Sequence, residues 1–307
     1  MPGGGAVTVR VSATSANLGP GFDCLGLALD LRDEVEVRTD GAPGVRIQVT
    51  GEGAGEVGDG DDHLVVRALR LALDAAGAEQ PRALDLVCRN VVPHGRGLGS
   101  SAAAVVAGLA AGRALAPAQG GTAPDDTTLL GLATDLEGHP DNAAAALLGG
   151  LTLAWWQDGR PHAVRLAAHP DLRALLLVPT ARLATHQARS VLPASVSHED
   201  AATNSGRAAL LVHALTDDLS LLLTATEDRL HQRQRASAMP PTLQLVDALR
   251  QHGLAAVVSG AGPTVLVLTT ARRRDDDCSR AEAVAGPGWE LLAPDVVRDG
   301  VEVDSVA

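Results

Sequence analysis

Between Val92 and Ala110 the chain reads VPHGRGLGSSAAAVVAGLA. Gly95, Gly97 and Gly99 alternate with larger residues, two serines follow, and an alanine-rich run with hardly a polar atom completes the stretch. Glycine is the costliest residue to order and alanine the best helix former, so a special backbone turn here feeds straight into a helix. The preceding ALDLVCRNVV has the pattern of a strand. A helix start offers free backbone N–H groups and the positive end of the macrodipole, and glycines ahead of it let the main chain close around a phosphate. Ser100 and Ser101 stand where a hydroxyl can cap the helix, touch a phosphate oxygen or ligate Mg²⁺.

An ordinary tight turn with a serine N-cap is the plain alternative for such a loop, and three glycine motifs with defined chemistry compete with it. A Walker-type loop needs G-x-x-x-x-G-K, and all 25 cationic side chains of this chain are arginine, with no lysine anywhere. The same absence removes lysine Schiff-base chemistry. A dinucleotide fingerprint begins well with Gly95-x-Gly97, but its third glycine is displaced and its acidic residue would fall in the loose segment around Asp125. A nucleophile elbow, G-x-S-x-G, is absent.

The rest of the chain frames the loop. At 307 residues it is long enough for two domains. With 46% apolar, 20% charged and only 1% aromatic residues, it needs a globular core of Val, Leu and Ala. A net charge of −12 argues against a general nucleic-acid binder. Cys24, Cys88 and Cys278 lack metal-ligand spacing and read as free thiols of a reducing compartment. The start MPGGGAVTVRVS has no signal-peptide pattern and no segment offers about 18 uninterrupted apolar residues, so a cytoplasmic protein is expected.

Val7, Val9 and Val11 alternate as a half-buried strand, and strand-like pieces follow at 34–38 and 45–49. DDHLVVRALRLALDAAG reads as a helix capped by Asp61 or Asp62 and stopped at Gly77, and further helices are expected over 101–115 and 127–137. Strands at 151–156 and 163–166 close a first domain, 1–167. A second, 168–307, starts with a strand at 174–178. It continues with helices, LAAVVSGAGPTVLVLTT as strand, turn and strand, a polar ARRRDDD bulge, a helix near 279–284 and a last strand near 301–303.

PHGRGLGSSAA resembles the phosphate-binding motif of the galactokinase, homoserine kinase, mevalonate kinase and phosphomevalonate kinase (GHMP kinase) superfamily. SATSANLGPGFDCLGLALDL and VSGAGPTVLVL are similar to its first and third motifs, in order and covering nearly the whole chain. The first motif and EGHPDN are most similar to the homoserine kinases of that group. The resemblance implies an α+β fold of two domains, an N-terminal one like the second domain of ribosomal protein S5 and a C-terminal ferredoxin-like one, with the site in the crevice between them. It also implies a cytoplasmic enzyme that uses ATP and Mg²⁺ to phosphorylate the hydroxyl of L-homoserine, and a homodimer.

Carried over residue by residue, the resemblance assigns ATP to Pro93, His94, Gly95, Arg96, Gly97, Leu98, Gly99, Ser100, Ser101 and Ala102, and metal to Ser101 and Glu137. Asp141 matches the proton-accepting aspartate of mevalonate-type relatives, with Asn142 beside it, and both also suit a helix cap. His139 is expected to pack or hydrogen-bond near the substrate or phosphates.

Arginine's planar fork suits a carboxylate. Thr185 with Arg189 at i, i+4, and Asp228, His231 and Arg235 along one helical face, supply two such forks, both matching arginines that bind the homoserine carboxylate in the family. Asp23 would then hold the ammonium and Asn17 or Asn142 the hydroxyl, although a polar pair at a glycine-rich turn often bonds only its own backbone. Gly260 and Gly262 would bring backbone close to substrate or phosphate. Where the family pattern has an asparagine near the adenine, this chain has His63. The alternatives are a sibling kinase for another alcohol, such as mevalonate, and a nucleotide-binding regulator without turnover.

Overall fold

The computed structural model describes residues 5–58 and 60–306; the opening residues 1–4, read above for a signal peptide, lie outside it. The first unit is built on β1 (Ala6–Asn17) and β2 (Gly21–Arg38). They pair antiparallel along nearly their whole length, with a register shift between Ser12 and Ala13. The strand expected at 34–38 is thus the far end of β2, because pairing with β1 keeps the chain extended past the polar Asp30–Asp33 stretch where the pattern alone breaks. β3 (Gly44–Gly51), α1 (Leu64–Ala75), β4 (Ala83–Asn90), α2 (Ser100–Leu115), α3 (Asp126–Glu137), α4 (Asp141–Leu148), β5 (Leu151–Gln157) and β6 (Arg160–Leu166) follow. The second unit contains β7 (Leu172–Pro179), α5 (Thr185–Ser190), α6 (His198–Thr216), α7 (Leu222–Ala225), α8 (Pro240–Gln251), β8 (Ala255–Val258), β9 (Val265–Thr270), α9 (Arg274–Ala285) and β10 (Trp289–Leu292). The chain ends in β11 (Glu302–Val306).

A seven-stranded sheet runs β11-β1-β2-β4-β3, with β5 paired to β2 and β6 to β5. A four-stranded antiparallel sheet runs β10-β7-β9-β8. The connection between β6 and β7 spans residue 167, the expected division, but β11 crosses back and pairs with β1 in the first sheet. Alternation along β7 ties the two sheets together. Leu172, Ala174, Leu176 and Val178 share a core with Leu25, Leu27 and Leu29 of β2, while Leu175 and Leu177 pack with Met239, Leu243 and Val246.

Helix α2 is buried on nearly every side. Its Gly108 and Gly112 lie against α1 so closely that a Cβ would stand 2.3 Å from the Val65 carbonyl oxygen and 2.5 Å from that of Leu69. By length and composition the 20-residue stretch Ser100–Gln119 is apolar enough to cross a membrane, although two thirds of it is buried inside the fold. Two local expectations change. The N-cap of α1 is His63, whose side chain makes no capping bond, and Asp61 and Asp62 form the 3₁₀ turn before it. ARRRDDD is no bulge: α9 begins at Arg274, and three aspartates in its first turn suit the positive helix end.

Candidate active site

The two sheets enclose a cleft of about 870 Å³, lined by the glycine loop, the turn after α3, and residues of α5 and the β8–β9 turn. Asp33 of β2 sets the loop's entry: its Oδ1 accepts both the Val91 and Val92 amides, at 2.6 and 2.9 Å. The loop leaves through Gly99, the left-handed N-cap of α2, which brings no side chain to cap the helix. Neither serine caps the helix, so its first-turn amides face an incoming anion without a hydroxyl competitor. Ser259 docks the β8–β9 turn on the loop, its hydroxyl donating to the Gly97 carbonyl at 2.7 Å. The Arg96 guanidinium turns away to the carbonyls of Pro179 and Thr180, so this arginine anchors the loop to the second sheet.

Across the cleft, Ser101 Oγ donates to Glu137 Oε1 at 2.5 Å. Burial pushes the Glu137 carboxyl above its ordinary range, and the Ser101 hydroxyl and His139 only partly offset this. Among the described residues no three His, Cys, Asp or Glu cluster as a metal cage. Ser101 and Glu137 are nevertheless hard oxygen donors side by side, a set that fits a Mg²⁺ completed by phosphates and water. Gly138 stops α3, and α4 then starts at the fully buried Asp141. Asp141 Oδ1 accepts from His139 Nδ1 (2.7 Å), from the Asn142 amide (2.7 Å) and from Asn142 Nδ2 (3.3 Å). Burial alone would lower the His139 pKa, but the Asp141 hydrogen bond and charge raise it.

On the other wall, Arg189 grips Asp23 with both terminal nitrogens, at 2.5 and 3.1 Å. Arg235 is buried, not solvated. It donates to the carbonyls of Ala188 (3.1 Å) and Gly260 (3.2 Å) and to His231 Nδ1 (2.9 Å). Burial, then the charge of Arg189, bring its pKa down to about 10, which leaves it cationic at neutral pH. The helical face expected for Asp228, His231 and Arg235 is absent, since only a 3₁₀ turn forms at Arg233–Arg235. Asp228 instead gathers the amides of Leu230, His231 and Gln232, and that cap carries His231 and Arg235 inward. Asn17 spends its amide on backbone, accepting from the Asp23 amide (3.0 Å) and donating to the Gly260 carbonyl (2.8 Å). Asn17, Leu18 and Asp23 all hold positive φ, so the turn between β1 and β2 is a strained one. His63 lines the cleft, its Nδ1 buried and without a partner among the described residues, and burial lowers the imidazole pKa below the ordinary value.

Residues 63–150 match the family described as GHMP kinases N terminal domain, and residues 208–285 that described as GHMP kinases C terminal. Over 285 residues the chain is 54% identical to a homoserine kinase of Streptomyces coelicolor, a match covering 92% of this chain and 90% of that one. Over 303 residues it is 48% identical to a homoserine kinase of Mycobacterium tuberculosis, covering 97% and 95%. The chain belongs to the homoserine kinase family of GHMP kinases. A solved homoserine kinase from Cytophaga hutchinsonii superposes with a TM-score of 0.83 at 27% identity, over 97% of both chains. Mevalonate diphosphate decarboxylase from Staphylococcus aureus shares the fold, at TM-score 0.70 and 16% identity over 98% of each chain. A GHMP scaffold thus hosts more than one chemistry, and a homoserine kinase must be distinguished by its side chains.

The cleft brings together Asn17, the loop residues from Pro93 to Ser101, His63, Glu137, His139, Asp141, Asn142, Thr185, Arg189, Arg235 and Gly260, while Ala102 is buried and does not line it. Asp23 reaches it through Arg189. Sequence reasoning missed Thr14, a buried β1 residue whose hydroxyl donates to Asn142 Oδ1 at 2.8 Å. The available signal was the cluster Ser12, Thr14 and Ser15 on a strand otherwise read as core. It also missed Asp33 and Phe22, each a lone residue without periodic context.

Proposed function

We propose that the protein transfers the γ-phosphoryl group of ATP to the side-chain hydroxyl of L-homoserine, giving O-phospho-L-homoserine and ADP, a step of threonine biosynthesis. The observation that carries this reading is one cleft in which an uncapped helix start faces two buried or half-buried arginines and an aspartate. Homoserine is a zwitterion. Its carboxylate suits Arg189 and Arg235 and its ammonium suits Asp23, so the ligand exchanges the Arg189–Asp23 pair for two pairs of its own.

The loop backbone from Pro93 to Gly99 and the first amides of α2, at Ser100, Ser101 and Ala102, cradle the phosphates, while His63 lies toward the base. Ser101 and Glu137 would hold Mg²⁺, which supplies charge neutralisation on the phosphate oxygens. The hydroxyl oxygen bonds to the γ-phosphorus as the bond to the β–γ bridging oxygen breaks. Its proton passes to Asp141, whose Oδ2 receives no hydrogen bond among the described residues. Asn142, fixed by Thr14, and His139, fixed by Asp141, orient the acceptor, and Thr185 and Gly260 border it. We further propose a cytoplasmic homodimer of two-domain chains, divided near residue 167, a setting suited to three free thiols.

Coupled ADP release with Mg-ATP tests the reading across L-homoserine, D-homoserine, L-serine, mevalonate and galactose. Turnover confined to L-homoserine is expected. Turnover of mevalonate or galactose alone would discard the amino-acid clamp, and silence on all five would make the protein a nucleotide-binding regulator.

A further inference from the structure

Phe22 is the only phenylalanine in a chain almost without aromatics, and it stands at the start of β2 beside the strained turn. Its ring stacks on His231, with centroids 5.0 Å apart and planes inclined by 24°. The guanidinium carbons of Arg189 and Arg235 lie over the same ring, 5.6 and 5.5 Å from its centroid. Two like charges brought this close repel, and the negative face of an aromatic ring is the neutral group that attracts both.

His231 completes the arrangement. It is fully buried, its Nδ1 accepts from Arg235, and its Nε2 donates to the Gly19 carbonyl at 2.8 Å. Those two bonds define a neutral ring with its proton on Nε2. Arg235 is thereby tied through His231 to the same glycine-rich turn that presents Asp23.

We infer that Phe22 and His231 are positioning residues, a platform that holds Arg189 and Arg235 at the separation and aim a substrate carboxylate needs. The inference rests on the homoserine reading above and deepens it: the platform makes the site selective for alcohols bearing a carboxylate. Phe22 touches neither nucleotide nor reacting hydroxyl in this scheme, so its effect falls on one substrate only.

The test measures KM for L-homoserine and KM for ATP in the wild type and in Phe22→Leu, Phe22→Tyr and His231→Phe. Phe22→Leu keeps the bulk but removes the ring face, and His231→Phe keeps the stack but removes the acceptor for Arg235. Each should raise KM for homoserine about tenfold, the effect of losing cation–π or charge-assisted contacts of this kind. KM for ATP should stay within about twofold, and Phe22→Tyr, which keeps the ring, should restore the wild-type homoserine value. An unmoved homoserine KM in Phe22→Leu, or equal rises in both constants, overturns the platform. If the leucine protein does not fold, the same two constants in His231→Phe decide. A wild type that turns over ATP but not homoserine overturns the functional reading itself, a result distinct from normal turnover with an unmoved KM.

Discussion

Gly97 and Gly95 differ by two positions in one loop, and their substitution by alanine should differ about twofold in cost. Both hold left-handed backbone, at φ +74° and +65°, which costs an alanine about 1–2 kcal/mol at either place. Beyond that the sites diverge. A Cβ on Gly95 would meet nothing nearer than Arg182 Cβ at 3.4 Å, an ordinary contact. A Cβ on Gly97 would stand 2.3 Å from the Ser259 carbonyl oxygen and 2.8 Å from the Gly262 amide nitrogen. Both are backbone atoms of the β8–β9 turn and cannot rotate away. Overpacking adds about 1–3 kcal/mol, for a total of about 2–5 kcal/mol. At roughly 2–4 °C per kcal/mol for a chain of this size, Gly95→Ala should lower Tm by about 2–8 °C and Gly97→Ala by about 4–20 °C, with Gly97→Ala the lower-melting of the two. Scanning calorimetry without nucleotide reads the difference, and KM for ATP should rise further in Gly97→Ala because the loop is pushed off the turn. Equal losses of Tm in the two variants would refute the claim that docking against the second sheet is what demands glycine.

Glu137→Gln should lower kcat and shift the Mg²⁺ titration, and an unchanged titration would remove Glu137 from the metal site. Burial raises the Glu137 pKa, so in the folded protein the ionised carboxylate costs stability above the ordinary glutamate range, and the cost disappears as pH falls through the raised value. Metal-free Glu137→Gln should therefore melt higher than the wild type at neutral pH, with the gap closing toward acid pH in calorimetry. Arg189→Ala or Arg235→Ala should raise KM for homoserine roughly 10–100-fold, from the loss of charge-assisted hydrogen bonds, and KM for ATP far less. Equal effects on both constants would undo the carboxylate clamp.

The glycine loop was legible because every constraint on it is local: the φ values, the helix start and the alanine packing face all lie within twenty residues. The same holds for the end of α3 at Gly138, where a glycine in left-handed conformation follows the last helical residue. What the sequence hid depends on distant partners. The sequence shows a separate strand at 34–38, yet β2 runs on to it from Gly21 through a bulge at Asp30 and Leu31, where the register with β1 shifts and pairing resumes at Arg32. The final strand reads as the close of a second domain, yet it pairs with β1, nearly three hundred residues earlier. Arg235 reads as a carboxylate fork on one helical face with Asp228 and His231, and the local pattern gives no sign of its burial. Its burial comes from Asp228 turning the chain inward and from three acceptors at Ala188, His231 and Gly260.

The same contrast explains why the acceptor side of the site could be named from motifs but not built from them. The nucleotide side is one segment, loop into helix, and its geometry follows from its own backbone. The proposed homoserine side draws on β1, the start of β2, α5, the 3₁₀ turn at Arg235 and the β8–β9 turn, elements brought together only by the docking of the two sheets. Bonds across that dock include Asn17 Nδ2 to the Gly260 carbonyl, the Gly260 amide to the Ala16 carbonyl, Ser259 to the Gly97 carbonyl and the Arg96 guanidinium to the Pro179 carbonyl. Asn17, through its other amide atom, also holds the amide of Asp23, itself in a strained left-handed conformation. Strain of that kind persists only where surrounding contacts over-determine it. The docking of the sheets therefore stabilises the pose of Asp23, and Asp23 in turn sets Arg189. Under the proposed clamp, an alcohol that lacks the ammonium group gives Asp23 no new partner in exchange for that ion pair, and the cleft should discriminate against a merely carboxylate-bearing alcohol on that ground.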